Sequence, residues 1–321
     1  MKVFLVTFQA VAALLGIGVL GFWIIGRRKV PANVLALLTT IAIDMALPFL
    51  ILSNILTQFS PQTLPDWWHM PLWWVGFSVV TLALSLITAI MVRKEFRSEF
   101  AISLFFQNGI FFPLIIITGL FGVNSPYLVL LFLFIFISPS LTFSTYALFF
   151  RQYKKEPALV WNKVINPTLI MTVIGIVLGL LNVKGYIPSF VLMILAMVGA
   201  MATPLFMLIL GGNVYNDFMN RTTGNRKIYT GEVIKFVIVK NLVFPLAFLG
   251  LLIWLHPDFP AALILILQAA VPPITAIPIF SERSGGNRAI TNQFIVASFA
   301  ASIITIPGVI YLFTRYFPFP N

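Results

Sequence analysis

Ten long apolar segments make up most of this chain, and they limit its fold more than any other feature. Each segment is long enough to cross about 30 Å of hydrocarbon at about 1.5 Å per residue. We place them near residues 4–25, 34–56, 72–92, 100–119, 126–150, 165–182, 189–211, 233–255, 261–281 and 291–314. Hydrophobic residues form 60% of the chain and charged residues only 9%, which a soluble core cannot accommodate. The sequence predicts an all-α integral membrane protein with ten transmembrane helices.

The basic residues fall almost entirely on one side of this predicted topology. Fifteen of the 20 Lys and Arg residues lie in connections that follow odd-numbered spans: Arg27, Arg28, Lys29, Arg93, Lys94, Arg97, Arg151, Lys154, Lys155, Lys163, Arg221, Arg226, Lys227, Arg283 and Arg288. Lysine and arginine accumulate in cytoplasmic loops, so we expect a cytoplasmic (inner) membrane protein with both termini on the extracytoplasmic side. Because the charges are dispersed over five short connections, the net charge of +11 gives no indication of nucleic-acid binding.

The two halves of the chain share a pattern that indicates an internal repeat. Met45–Leu50 in the second span aligns without a gap with Met201–Phe206 in the seventh, and the fifth and tenth spans share a central proline. Five spans per half would give the halves opposite orientations across the membrane. We therefore predict two five-helix repeats, residues 1–155 and 156–321, the second inverted.

Two spans carry clusters that a continuous membrane helix should avoid, Gln107–Pro113 in the fourth span and Gln268–Pro273 in the ninth. Unpaired backbone groups are costly in hydrocarbon, and broken helices at matching places in two repeats point to a transporter's binding site. Opposed half-helix ends can bind ions or carboxylates without a formal charge. The alternative is that the prolines merely kink packed helices. The predicted substrate or ion ligands are Gln107, Asn108, Gly109, Pro113, Gln268, Pro272, Pro273 and Thr275.

Three charged residues lie within predicted spans, Asp44 in the second and Lys235 and Lys240 in the eighth. Asp44 comes one turn before Pro48, and an intramembrane carboxylate is a functional hypothesis by default. It could carry a proton or bind a coupling cation, or it could simply hydrogen-bond to a neighbouring helix. Lys240, in the eighth span, could contact an anionic substrate or extend its amine to the cytoplasmic surface.

Several motifs together resemble bacterial members of the auxin efflux carrier family. They cover nearly the whole chain and are strongest over residues 160–310. They comprise Asn166-Pro167 with Gly175 and Gly179, the stretch from Thr203-Pro204 to Gly211-Gly212, Lys240-Asn241 to Pro245, and Gln268 to Pro272 followed by Ser281–Gly286. The resemblance implies a transporter of the bile acid/sodium symporter type, in which the fourth and ninth helices break and cross.

The resemblance also implies that the helices form two domains with different roles. Helices 1, 2, 6 and 7 would form a scaffold domain, usually dimeric, and helices 3–5 and 8–10 a moving transport domain. Family members carry small organic anions. This sequence departs from the family in the bulky stretch Ile110–Pro113 and in the lack of a carboxamide after Pro273, which favours a more apolar pocket.

These observations predict a secondary active carrier of small organic anions that works by alternating access as a homodimer. Export driven by protons or the membrane potential, with Asp44 involved, is one coupling mode, and sodium symport with Na⁺ held at the breaks is the other. A channel and a non-transporting sensor are further alternatives. An enzyme is not expected, because paired carboxylates or a nucleophile with its base are absent from the spans. No cofactor and no metal beyond a coupling ion is expected.

Overall fold

The computed structural model describes residues 2–27, 34–62, 64–123, 125–153, 165–219 and 228–320. Helices dominate this part of the chain, and it contains no β-strand beyond one isolated bridge. The predicted boundary between the repeats, at residues 155 and 156, lies outside the described residues. So do eight of the basic residues counted above: Arg28, Lys29, Lys154, Lys155, Lys163, Arg221, Arg226 and Lys227.

Sixteen α-helices run through the described residues. They are α1 (Lys2–Gly26), α2 (Val34–Ile41), α3 (Leu47–Gln58), α4 (His69–Thr88), α5 (Arg97–Phe105), α6 (Phe111–Phe121), α7 (Pro126–Ile135), α8 (Ser138–Thr145), α9 (Pro167–Leu180), α10 (Ser189–Ala200), α11 (Ala202–Met219), α12 (Thr230–Ile238), α13 (Phe244–Leu255), α14 (Phe259–Ala270), α15 (Ile277–Arg283) and α16 (Arg288–Phe313). Single π-helical turns at Ala42–Ala46 and Val239–Val243 join α2 to α3 and α12 to α13. The 3₁₀ turns are Ala89–Met91, Lys94–Phe96, Tyr146–Tyr153 and Val183–Tyr186.

Six helices of the described part are long and apolar enough to cross a membrane: Lys2–Gly26, Val34–Gln58, His69–Met91, Ser189–Asn216, Thr230–Leu255 and Arg288–Phe313. They correspond to the predicted spans 1, 2, 3, 7, 8 and 10. The other four predicted spans contain shorter apolar helices: Phe111–Phe121, Pro126–Thr142, Pro167–Leu180 and Phe259–Ala270. The all-helical membrane fold is thus confirmed, while the number of crossings and the inverted repeat remain predictions.

Basic side chains join several helix ends in the described residues. Arg93, which follows α4, forms an ion pair with Glu232 in the first turn of α12 (Nε–Oε1, 3.4 Å). In the same region Lys235 donates a hydrogen bond to the Met91 carbonyl (3.1 Å). Lys184, which the topology assigns to the other side, instead donates to the Thr57 carbonyl at the end of α3 (2.7 Å). Helix ends that the predicted topology assigns to the same side of the membrane therefore contact each other.

Small residues allow α1 and α11 to pack with their backbones in contact. A Cβ atom on Gly21 would lie 2.2 Å from the Leu208 carbonyl oxygen, and one on Gly211 would lie 1.8 Å from that of Gly18. Only glycine fits at such a distance, which is the usual way for membrane helices to pack closely. In addition α3 packs against α9 and α10, so the helices of predicted spans 1, 2, 6 and 7 contact one another.

The shorter helices α7 and α14 form the centre of the molecule. All residues from 128 to 135 in α7 and from 261 to 270 in α14 are buried, whereas the long helices expose many apolar side chains. A helix that is hydrophobic and buried on every side is a core helix. Its position places the end of α14, at Ala270, inside the protein rather than in lipid.

Candidate functional site

The fourth predicted span is interrupted between α5 and α6. Residues 106–110, called here the first break, leave the helix after Phe106 donates a last backbone hydrogen bond to Ile102 (3.1 Å). Helix α6 begins at Phe111 and places Pro113 in its first turn, where the missing N–H would have no partner within the helix. The sequence Gln107-Asn108-Gly109 therefore lies on non-helical backbone between two half-helices.

The ninth predicted span is interrupted in the same way between α14 and α15. Residues 271–276, called here the second break, start at Val271, whose φ and ψ of −75° and 149° are extended. Pro272 and Pro273 follow, and neither has an N–H to continue the helix. A residue that precedes proline is driven away from the helical region, which explains the end of α14 at Ala270.

The two breaks pair with each other in antiparallel fashion. The backbone N–H of Asn108 donates to the Pro272 carbonyl (2.8 Å), and that of Ile274 donates to the Phe106 carbonyl (3.0 Å). The pairing is an isolated β-bridge. Backbone groups that the breaks release from their helices thus satisfy each other, as a low-dielectric environment demands.

A side chain strengthens this pairing. Gln268, which is 3% exposed in the last turn of α14, donates from Nε2 to the Gly109 carbonyl (2.7 Å). A Cβ atom on Gly109 would lie 2.2 Å from Oε1 of the same Gln268. Glycine is therefore required at position 109 for the close approach of the two breaks.

The carboxamide of Asn108 forms no hydrogen bond among the described residues, and the residue as a whole is only 5% exposed. A carboxamide offers two donors and an acceptor, and those of Asn108 are not among the fully buried polar atoms without a partner, so they stay accessible to a ligand or to water. By contrast Gln107 is half-buried, and its Nε2 donates to the Leu104 carbonyl (3.4 Å). Thr275 is half-buried as well. Asn108 is thus the site residue with the most unused hydrogen-bonding capacity.

A small cavity of about 20 Å³ lies beside the paired breaks, and Gln107 and Gln268 both contribute to its lining. This volume holds about one water molecule. Another lining residue is Thr81, whose hydroxyl is buried and unpartnered. The cavity shares four lining residues with a larger, mostly apolar groove of about 840 Å³ that extends to Arg97: Trp74, Ser78, Phe105 and Leu141. The groove leads from the basic end of the molecule toward the breaks.

Lys240 lies close to the second break. Its side chain is completely buried in the π-helical turn Val239–Val243, and Nζ lies 3.4 Å from the carbonyl oxygen of Ala269. The alternative interpretation, an amine extended to the cytoplasmic surface, is therefore wrong. The π-helical turn and the packing of α14 direct the amine inward instead.

Asp44 is not brought together with the breaks. It lies in the π-helical turn Ala42–Ala46 and is exposed. Within the described residues it forms no hydrogen bond or ion pair, so the expected alternative of a bond to a neighbouring helix is not observed. Its role as a coupling group remains a prediction.

Sequence reasoning missed a buried acid, Glu99, which is 1% exposed near the start of α5. Its Oε1 accepts a hydrogen bond from the backbone N–H of Asn287 (2.7 Å), joining the two halves of the chain. Glu99 precedes the predicted fourth span by one residue and closely follows the basic residues Arg93, Lys94 and Arg97. That context favoured a surface position, and no signal in the sequence distinguishes it from Glu95.

Comparison with known proteins identifies the family. No group of three or more potential metal-ligating side chains is found in the described residues. A search of curated proteins found no significant match. The family model described as "Membrane transport protein" matches residues 6–160 and 155–310. This family consists of membrane transporters rather than enzymes, and such transport needs no cofactor. The chain is a multi-pass membrane protein that belongs to the membrane transport protein family, which includes the auxin efflux carriers.

Proposed function

We propose that this protein is a secondary active transporter that carries small organic anions across the cytoplasmic membrane by alternating access. The observation that carries this proposal is the carboxamide of Asn108, which has no hydrogen-bond partner in the described residues and lies where two broken helices pair. Its donors and acceptor are available to a bound molecule in a region that is otherwise apolar, and polar groups in such positions mark substrate pathways.

The chemistry of the first break fits a carboxylate. The first backbone N–H groups of α6 have no partners within the helix, and they carry the positive end of its dipole. Asn108 adds side-chain N–H donors two residues before Ile110, the N-cap of this helix. Amide donors at a helix N-terminus form a favourable site for an anion. The apolar groove that leads to the site suits the hydrocarbon part of an organic acid.

The proposed binding site comprises both breaks. Asn108 and Gly109 provide donors and a close backbone approach, Pro113 fixes the start of α6, and Pro272 accepts the hydrogen bond that holds Asn108 in place. The other proposed ligands are the side chains of Gln107, Gln268 and Thr275 and the ring of Pro273. Lys240 contributes positive charge next to this site, and Asp44 remains the proposed coupling residue.

Movement of one domain past another would expose this site to each side of the membrane in turn. The close packing of α1 on α11, and of α3 on α9 and α10, supports a rigid scaffold made from helices 1, 2, 6 and 7. Helices 3–5 and 8–10, which contain both breaks, would move as the transport domain. The proposal includes ten spans in two inverted repeats, a homodimer formed through the scaffold, and both termini outside the cytoplasm.

A flux assay in proteoliposomes tests the function. Purified protein would be reconstituted, and uptake of labelled carboxylates would be measured under a sodium gradient, a pH gradient or neither. Saturable uptake with counter-transport identifies a carrier, and unsaturable flux would indicate a channel instead. Absence of flux for a broad panel of organic anions would contradict the proposal and favour a sensor. A thermal-shift screen with the same panel would choose the acids to label.

A further inference from the structure

Lys240 has a buried amine without an acidic partner. Its two contacts are the Ala269 carbonyl oxygen at 3.4 Å and the ring of Phe244, whose centroid lies 5.3 Å from Nζ. None of the carboxylates in the described residues pairs with it. An ammonium group in this position requires negative potential from a source other than a carboxylate.

The end of α14 provides that potential. Ala269 lies in the last turn of this helix, where carbonyl groups lack intrahelical partners and the helix dipole places about half a negative charge. The second break begins directly afterwards, and its two prolines cannot donate hydrogen bonds to these carbonyls. The face of an aromatic ring, here that of Phe244, adds a further attraction for a cation.

The helix around Lys240 is built to hold the side chain in this place. Lys240 lies in a single π-helical turn, a distortion that is frequent at functional sites. The next residue, Asn241, donates from Nδ2 to the Ser298 carbonyl (3.1 Å) and accepts a hydrogen bond from the Ser298 hydroxyl (2.8 Å). These bonds to α16 fix the turn, so the position of Nζ is determined by the fold rather than by a flexible side chain.

In transporters with broken helices, the carbonyl ends of half-helices are the groups that coordinate a coupling Na⁺. An ammonium group hydrogen-bonded to one such carbonyl, as Lys240 is to Ala269, would occupy the position of that ion and supply the same charge. Resting on the proposed carrier function, we infer that the Lys240 ammonium group replaces a dissociable coupling cation at the carbonyl end of α14, and that the carrier works without sodium. The positive charge that accompanies the anion is then supplied by Lys240 and not by an ion from solution.

The test compares three variants with wild type in proteoliposomes that contain sodium, methylammonium or choline as the cation. Wild-type flux should be equal in all three. Lys240→Met, which removes the charge but keeps much of the volume, should lower flux about tenfold in every medium. Lys240→Ala should lower flux equally in choline but leave room for a cation, so sodium or methylammonium should restore part of it. Lys235→Ala, a variant of the half-buried lysine in α12, should match wild type.

Three results would overturn the inference: wild-type flux that requires sodium, undiminished flux of Lys240→Ala in choline, or loss that neither cation restores. Melting temperatures of the detergent-solubilised proteins provide an independent measurement. Sodium should raise the melting temperature of Lys240→Ala but not that of wild type, and a rise for wild type would also overturn it. If wild type carries no organic anion, the proposed function fails, and the melting temperatures still decide the role of Lys240. If Lys240→Ala does not fold, the flux of wild type and of Lys240→Met in the three cations still tests the inference.

Discussion

The two breaks of this protein differ in what they offer to a ligand. The first contains Gln107, Asn108 and Gly109, and it leads into an eleven-residue helix whose N-terminus faces the break. The second contains Pro272 and Pro273, which have no N–H, and it follows a helix whose carbonyl end contacts Lys240. The first break is thus rich in donors, and the second provides acceptors and a buried positive charge.

The helix ends that precede the breaks show the same contrast. The Leu104 carbonyl at the end of α5 accepts a weak hydrogen bond from Gln107, a neutral side chain three residues further along (3.4 Å). The Ala269 carbonyl at the end of α14 contacts a cation that comes from another helix. This difference indicates that the breaks are not interchangeable. We propose that they form one site together, in which the first break binds the anion and the second holds it in position.

The largest effect is expected for Gly109→Ala, which tests whether the breaks must stay paired. The new Cβ would lie 2.2 Å from Oε1 of Gln268, so the buried Gln268 side chain would have to move and lose its hydrogen bond. A displacement of about 1 Å within a binding arrangement can cost about a hundredfold, and we expect a loss of flux of that order. The measurement is initial uptake at equal amounts of reconstituted protein.

The matched control is Gly119→Ala in α6. A Cβ atom there would meet ordinary contacts at 3.6 Å, so flux and melting temperature should stay close to wild type. Equal behaviour of the two variants would contradict a requirement for paired breaks.

Asn108→Ala tests the side-chain donors of the first break without disturbing the pairing of the two breaks. The backbone hydrogen bond to Pro272 is retained, but the unpartnered carboxamide is lost. A hydrogen bond to a charged group contributes about 1.5–3 kcal/mol, so flux should fall about tenfold or more with unchanged amounts in the membrane. Asn54→Ala, a half-buried carboxamide in α3 that bonds to the Leu50 carbonyl, serves as control. Normal flux for Asn108→Ala would remove this residue from the site.

Gln268→Leu should have a smaller effect on flux and a clearer effect on stability. The Gly109 carbonyl would lose its 2.7 Å hydrogen bond, and an unsatisfied buried acceptor costs about 1–3 kcal/mol. We expect a lower melting temperature, measured in detergent, that a bound carboxylate partly restores. An unchanged melting temperature would show that this bond does not hold the breaks together.

Gln107→Leu should have the smallest effect of the series. Its hydrogen bond is long, at 3.4 Å, and its side chain is half-buried, so the Leu104 carbonyl can find another partner at little cost. The melting temperature should fall by less than that of Gln268→Leu. The reverse order would mean that the first break, not the second, secures the pairing.

The sequence predicts much of this architecture because the underlying signals are local. The lengths of apolar runs identified the long helices, and the clusters at Gln107–Pro113 and Gln268–Pro273 lie where the helices are interrupted. The direction of a side chain on a helix is set by packing, and it was not predictable. The exposure of Asp44 and the inward position of Lys240 both depend on π-helical turns, which shift the register of a helix without any distinctive sequence.

The most direct test of a single site formed by both breaks is a double-mutant cycle. The half-saturating concentration of a transported carboxylate would be measured for wild type, Asn108→Ala, Gln268→Ala and the double variant. Residues that act on one bound anion should be coupled by about 0.5 kcal/mol or more, so the double variant should lose clearly less affinity than the sum of the single losses. Additive losses would contradict a shared site.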